Sequence, residues 1–179
     1  MSLSLCLVDN TSLIISKNII ELRDALGLSQ KDFALLAHIS TSTLVNIESG
    51  KKSFRLKSLD GIINFSTVEM EELSKVDFQP PENLRETLTK IYKSEPDVYV
   101  ILSREPSIPY CIKYKMLSTN FLDTPKETNE IKSFFSKQGW NFKGNSLHTA
   151  LKRLPLLIKI AAHPKKEATN LYSSIKKSK

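Results

Sequence analysis

The segment 27–50 constrains the fold of this chain more than any other, because it spells two short helices and the tight turn between them. Ser29 has the hydroxyl that caps a helix N-terminus, and Phe33, Ala34 and Ala37 follow it on one helical face. Ser40 is a second cap a few residues later, and Leu44 and Ile47 give the helix it opens an apolar side. Thr41, Ser42, Val45 and Asn46 are then left to face outward. Gly50 closes the pair as a left-handed stop.

The 179 residues, 40% of them hydrophobic, suffice for one large globular domain or two small ones. No apolar run approaches the ~18 residues that a membrane-spanning helix needs. The apolar start lacks a basic head and meets Asp9 almost at once, which argues against a signal peptide and makes the cytoplasm the expected location. Cys6 and Cys111 stand apart from each other and from any histidine cluster, so the pattern implies buried thiols, with no zinc site and no disulfide framework. The formal charge of +7 is uneven. Acids slightly outnumber bases between Lys17 and Asp77, whereas from Lys143 onward nine lysines and arginines face only Glu167. Such an imbalance bears on association with nucleic acid or an acidic partner, or is simply a solvated helix and tail.

In chain order, residues 4–8 and 12–15 read as a small hairpin in an N-terminal extension over 1–16, or the second run leads directly into a helix capped by Ser16. Ile19, Ile20, Leu22 and Leu26 recur at helical spacing and end at Gly27. After Gly50, Leu56, Leu59, Ile62 and Ile63 mark another helix, and Ser66 with Glu69 has the form of a capping box opening a fifth. Five helices thus fill 17–75. Gln79, Pro80 and Pro81 place a linker at 76–81. Over 82–179 the pattern predicts a small α+β domain. It has a helix ending near Lys93, strands at Val98, Val100 and Leu102 and over 108–116, and a helix over 125–137 capped by Thr124 and stopped by Gly139. A further helix lies before Pro155, a strand over 156–161 is preferred to continued helix, and a polar helix with a lysine-rich tail follows from Lys165.

At Leu28, Ser29 and Gln30, at Phe33 and Ala34, at Ile39 and Ser40, and at Ile47, Glu48, Ser49, Gly50 and Lys51, the sequence resembles the lambda-repressor/Cro-type helix-turn-helix family, over about 19–73. The resemblance implies a mainly α, five-helix DNA-binding domain in which Leu22, Leu26, Phe33, Ala34, Ile39, Leu44 and Ile47 are core. It also implies that Gln30 meets a DNA phosphate, that Thr41, Ser42, Val45 and Asn46 lie toward the major groove, and that Glu48 is structural. One position departs from the pattern: His38 stands where the family has a turn glycine, so His38 is expected at positive φ with modest strain.

The chemistry of those side chains accounts for such a role. Asn46 can contact adenine through both amide atoms, Thr41 and Ser42 can donate or accept, and Val45 can rest on a thymine methyl. No arginine is placed to read guanine, so the half-site is expected to lean toward A and T. Lys51, Lys52, Arg55 and Lys57 would supply phosphate contacts. Elsewhere, Trp140 reads as a core or turn aromatic, His148 and His163 lack metal spacing, and Ser146 with Lys152 lacks the strand context of a self-cleaving repressor tail. No phosphate loop, dinucleotide loop or carboxylate pair appears, and neither enzymatic activity nor a cofactor is expected. The reading is a cytoplasmic transcriptional regulator, a repressor by preference, acting on duplex DNA as a homodimer. The alternative is an antitoxin-like protein whose second domain binds a partner protein while the helix-turn-helix autoregulates its operon.

Overall fold

α1 runs from Asn10 to Leu26 and carries the first core stripe, with Ile15, Ile19, Leu22 and Leu26 buried at helical spacing. The computed structural model describes residues 10–51, 54 and 56–175. The expected strand at 4–8 lies outside them, and 12–15 is helix: Ser16 is no cap but an internal residue whose hydroxyl donates to the Ser12 carbonyl at 2.7 Å. Because Ile15 and Ile19 must both face the core, the first apolar run joins the helix instead of pairing as a strand.

α2 (Gln30–Leu36), α3 (Thr41–Ser49), α4 (Lys57–Ser66) and α5 (Met70–Leu73) complete the five helices. The capping box expected at Ser66 does not form. Ser66 closes α4 and accepts from the Val68 N–H at 3.3 Å, Thr67 takes φ 57°, and Glu69 stands at the start of α5. Asn18, buried on α1, donates to the carbonyls of Leu73 and Lys75 at 2.9 and 2.7 Å, so a side chain of the first helix caps the end of the last.

The first compact unit extends over Met1–Arg104, beyond the expected boundary at 76–81. Phe78 is buried there, and α6 (Leu84–Ile91) and α7 (Pro96–Ser103) bury Leu84, Leu88, Ile101 and Leu102 in the same core as α1 to α5. α7 replaces the expected strand near 98–102. Ile101 and Leu102 are consecutive and both buried, which a strand with one covered face does not allow, and Pro96 stands in the first turn of a helix, where its missing N–H costs nothing.

The second unit, Glu105–Lys179, has the expected α+β character with different boundaries. The stretch expected as a strand over 108–116 is α8 (Ile108–Tyr110), capped by Ser107, continued by a wider turn over Cys111–Met116 that buries Cys111, Ile112 and Met116. Lys126 and Glu127 are β1, so α9 (Thr128–Ser136) begins after Glu127 and not at the Thr124 cap. Gly139, at φ 84°, follows α9 as expected. α10 (Gly144–Lys152) precedes β2 (Ile158–Ala162), and the helix expected beyond Lys165 is instead β3 (Asn170–Ser174), whose Tyr172 is buried against both neighbours. The sheet is antiparallel in the order β1, β3, β2, with Tyr172 opposite Lys126 on one side and Ile160 on the other. Trp140 lies at the edge of an aromatic cluster 6.2 Å from the Phe135 ring, and His148 Nδ1 is 2.6 Å from the Tyr172 hydroxyl.

Candidate nucleic-acid interface

Two serine caps set the geometry of this surface. Ser29 Oγ accepts from the Asp32 N–H at 3.1 Å and opens α2; Ser40 Oγ accepts from the Thr43 N–H at 3.0 Å and opens α3. Between them His38 adopts φ 53°, the conformation expected where glycine is usual. The Ile39 N–H reaches back to the Ala34 carbonyl at 3.0 Å, which holds the turn shut. Gly50, at φ 60°, ends α3.

The side chains of α3 divide sharply. Leu44 and Ile47 are wholly buried, while Thr41, Ser42, Val45 and Asn46 are exposed as one stripe on the opposite side. Ser42 Oγ shares a hydrogen bond with Ser40 Oγ at 2.9 Å, and the Ser49 hydroxyl donates to the Asn46 carbonyl at 2.8 Å. A stripe of hydroxyl, carboxamide and one β-branched methyl pair can hydrogen-bond base edges and touch a thymine methyl.

Glu48 ties this helix to the rest of the domain. Arg23 of α1 donates to it through Nε at 2.6 Å and Nη2 at 3.4 Å, and Gln30 Nε2 donates to the same carboxylate at 2.6 Å. The Arg23 guanidinium also donates to the Leu28 carbonyl at 3.1 Å. Gln30 is therefore exposed at the first residue of α2 with one amide hydrogen engaged, and its second can meet a phosphate. The sequence assigned Glu48 to structure but did not identify Arg23. The available signal was a lone arginine beside core residue Leu22.

Of the four basic residues expected after Gly50, Lys51 and Lys57 are exposed, Lys57 as the first residue of α4, while Lys52 and Arg55 lie outside the described residues. Among the described residues there is no group of three His, Cys, Asp or Glu side chains able to hold a metal, and no helix is long and apolar enough to cross a membrane.

The helix-turn-helix family model matches residues 19–73, the span that carries the motif residues. No curated protein and no solved structure matches the chain. The capped helices, the closed turn and the family match agree on the same residues: the segment 19–73 is a lambda-repressor-like helix-turn-helix domain, which supports a DNA-binding role for that segment.

Proposed function

We propose that the chain is a sequence-specific repressor that binds a two-fold symmetric operator as a homodimer. α3 lies in the major groove; Thr41, Ser42, Val45 and Asn46 address base edges, and Gln30, Lys51, Lys52, Arg55 and Lys57 address phosphates. The observation that carries the reading is the exposed stripe on α3, set directly opposite the buried Leu44 and Ile47. Lys57 supports it too: a cation in the first turn of a helix opposes the helix dipole, so its position is not explained by the stability of α4. Pairing two half-sites one helical turn apart raises affinity and specificity over a single domain, and an occupied groove excludes other proteins without any further contact.

Selection of binding sites by the full chain from random duplexes tests this. A paired half-site leaning toward A and T is expected, and Asn46→Ala lowers affinity for the selected site by roughly tenfold, within the ~1–3 kcal/mol of one bidentate base contact. Enrichment of G/C-only sites, or unchanged affinity of the variant at fixed salt, would falsify the assignment.

A further inference from the structure

β2 (Ile158–Ala162) is the outer strand of the sheet, and among the described residues no further strand lies beyond it. Two hydrogen bonds fix which of its backbone groups face β3: the Ile175 N–H donates to the Leu157 carbonyl at 2.9 Å, and the His163 N–H donates to the Thr169 carbonyl at 2.8 Å. Orientation alternates along an antiparallel ladder, so Leu157, Lys159, Ala161 and His163 turn their N–H and C=O groups to β3, while Ile158, Ile160 and Ala162 turn theirs to the open edge. The Ile158 N–H is already spent on the Leu154 carbonyl at 2.9 Å, and Pro164, the next outward position, has no N–H. Ile160 and Ala162 thus hold the edge's only outward donors, and among the described residues neither their N–H nor their C=O groups have a partner. Lys159, Ala161 and Ala162 are exposed.

An edge of this kind is a template for another strand, and this one is complementary to itself. With a second β2 laid antiparallel about a two-fold axis at Ala161, Ile160 stands opposite the partner's Ala162, and each pair exchanges both N–H···O bonds. The four bonds that result use every outward N–H of both strands. Ala161 then meets its own copy at the close, non-hydrogen-bonded position, where a methyl side chain fits. Lys159, the one charge on β2, is the residue type that guards exposed edges, but in this register its two copies lie four residues apart, roughly 13 Å along the strands and beyond the ~10 Å screening length at 0.1 M salt. A register centred on Ile160 is worse on both counts. It sets the Ala162 carbonyl against the spent Ile158 N–H and halves the separation of the lysines.

We propose that a second copy of this chain docks on the β2 edge, giving a continuous six-stranded antiparallel sheet with its two-fold axis at Ala161. The proposal rests on the homodimer reading and names the surface that makes the homodimer. A joint of four backbone hydrogen bonds is small, so association is weak in the free chain and is strengthened when one duplex holds two copies.

The test uses the full chain. Sedimentation equilibrium measures self-association of wild type, of Ala162→Pro, and of the control Ala162→Ser, with circular dichroism establishing that each is folded. Proline at 162 removes an outward N–H and no bond to β3, the one setting in which an edge strand accepts it. It costs the dimer two of its four hydrogen bonds, so its dissociation constant is expected to rise at least about tenfold, while Ala162→Ser stays near wild type. Register is read separately by oxidation in a Cys6→Ser background. Ala161→Cys is expected to form a disulfide with its own copy, because Cα atoms at a non-hydrogen-bonded pair are about 4.5 Å apart, whereas Lys159→Cys on the same face is too far from its copy to do so. The cross-linking result stands whether or not Ala162→Pro folds. A dimer indifferent to Ala162→Pro, or equal cross-linking at 159 and 161, overturns the β2 joint and leaves the homodimer reading intact. A chain that stays monomeric both alone and on the selected operator overturns both, and leaves the edge to a strand from a different protein.

Discussion

Arg23 on α1 grips the Glu48 carboxylate on α3 with two nitrogens, Nε at 2.6 Å and Nη2 at 3.4 Å, and both side chains are largely withdrawn from water. The same carboxylate accepts from Gln30 on α2, so a single acid at the end of the candidate recognition helix joins all three helices of the motif. Orientation of α3 therefore depends on a charged contact as well as on Leu44 and Ile47.

Replacing Glu48 with Gln leaves Arg23 facing a neutral amide in a mostly covered site. The expected loss is about 2 kcal/mol of unfolding free energy, below the value for a fully buried pair because Arg23 keeps some solvent contact. Urea unfolding of the two proteins measures it. Affinity for a selected operator should fall as well, since α3 and Gln30 lose their common anchor. A stability change within about 0.3 kcal/mol would mean that water replaces the ion pair at no cost.

Gly61 sits in the middle of α4, where propensity alone makes alanine better by about 1 kcal/mol. A Cβ built there would lie 1.8 Å from the Ala37 carbonyl oxygen, a backbone atom that cannot rotate away. Gly61→Ala is therefore expected to destabilise by roughly 3 kcal/mol, the upper range of overpacking, with the sign opposite to propensity. Thermal melting decides between the two signs.

The features legible in the sequence were those written in local chemistry. Ser29, Ser40, Gly50 and the unusual His38 turn each announce themselves through one residue and its immediate neighbours, and all four take the expected conformation. The features that were not legible depend on partners distant in the chain. Val98, Val100 and Leu102 alternate well enough to mimic a strand, and only the core that takes up Ile101 together with Leu102 makes the segment helix. Tyr172 lies in a polar stretch that looks helical until β2 and β1 pair with it. The stripe on α3 was readable because its spacing is local, whereas the Arg23–Glu48 pairing spans 25 positions and leaves no periodic trace.

Glu127 at the start of α9 has its carboxyl held below the usual carboxylate range, chiefly by the hydrogen bond from Lys166; desolvation opposes this, and the charges of Lys166 and then His163 add smaller lowering contributions. A carboxyl depressed in the folded state stabilises it above the unfolded value, near about 4.3, and that contribution disappears as pH falls through the folded value. In Lys166→Gln the Glu127 midpoint should move up toward the ordinary range, and the stability difference from wild type should be present at neutral pH and close as pH falls through the depressed folded-state midpoint. Carbon-detected NMR titration of the Glu127 carboxyl reads the midpoint directly. The pair lies at the surface, so added salt should narrow the difference.

Arg85 on α6 donates through Nη1 to the Leu26 carbonyl at the end of α1 and through Nη2 to the Arg104 carbonyl beyond α7, the latter at 2.8 Å. One buried guanidinium thus satisfies carbonyls at the ends of two helices, which binds α6 and α7 into the first unit. Leu84, Leu88, Ile101 and Leu102 add four buried side chains, each worth about 1.5–3 kcal/mol before the cost of ordering the extra chain. A fragment ending at residue 81, after the paired prolines, should consequently be less stable than one ending at residue 104 by about 3 kcal/mol, bind a hydrophobic dye, and melt with poor cooperativity. Denaturant unfolding of the two fragments provides the comparison. Equal midpoints would show that the helix-turn-helix core closes without α6 and α7, and that the prolines at 80 and 81 mark the end of the folding unit after all.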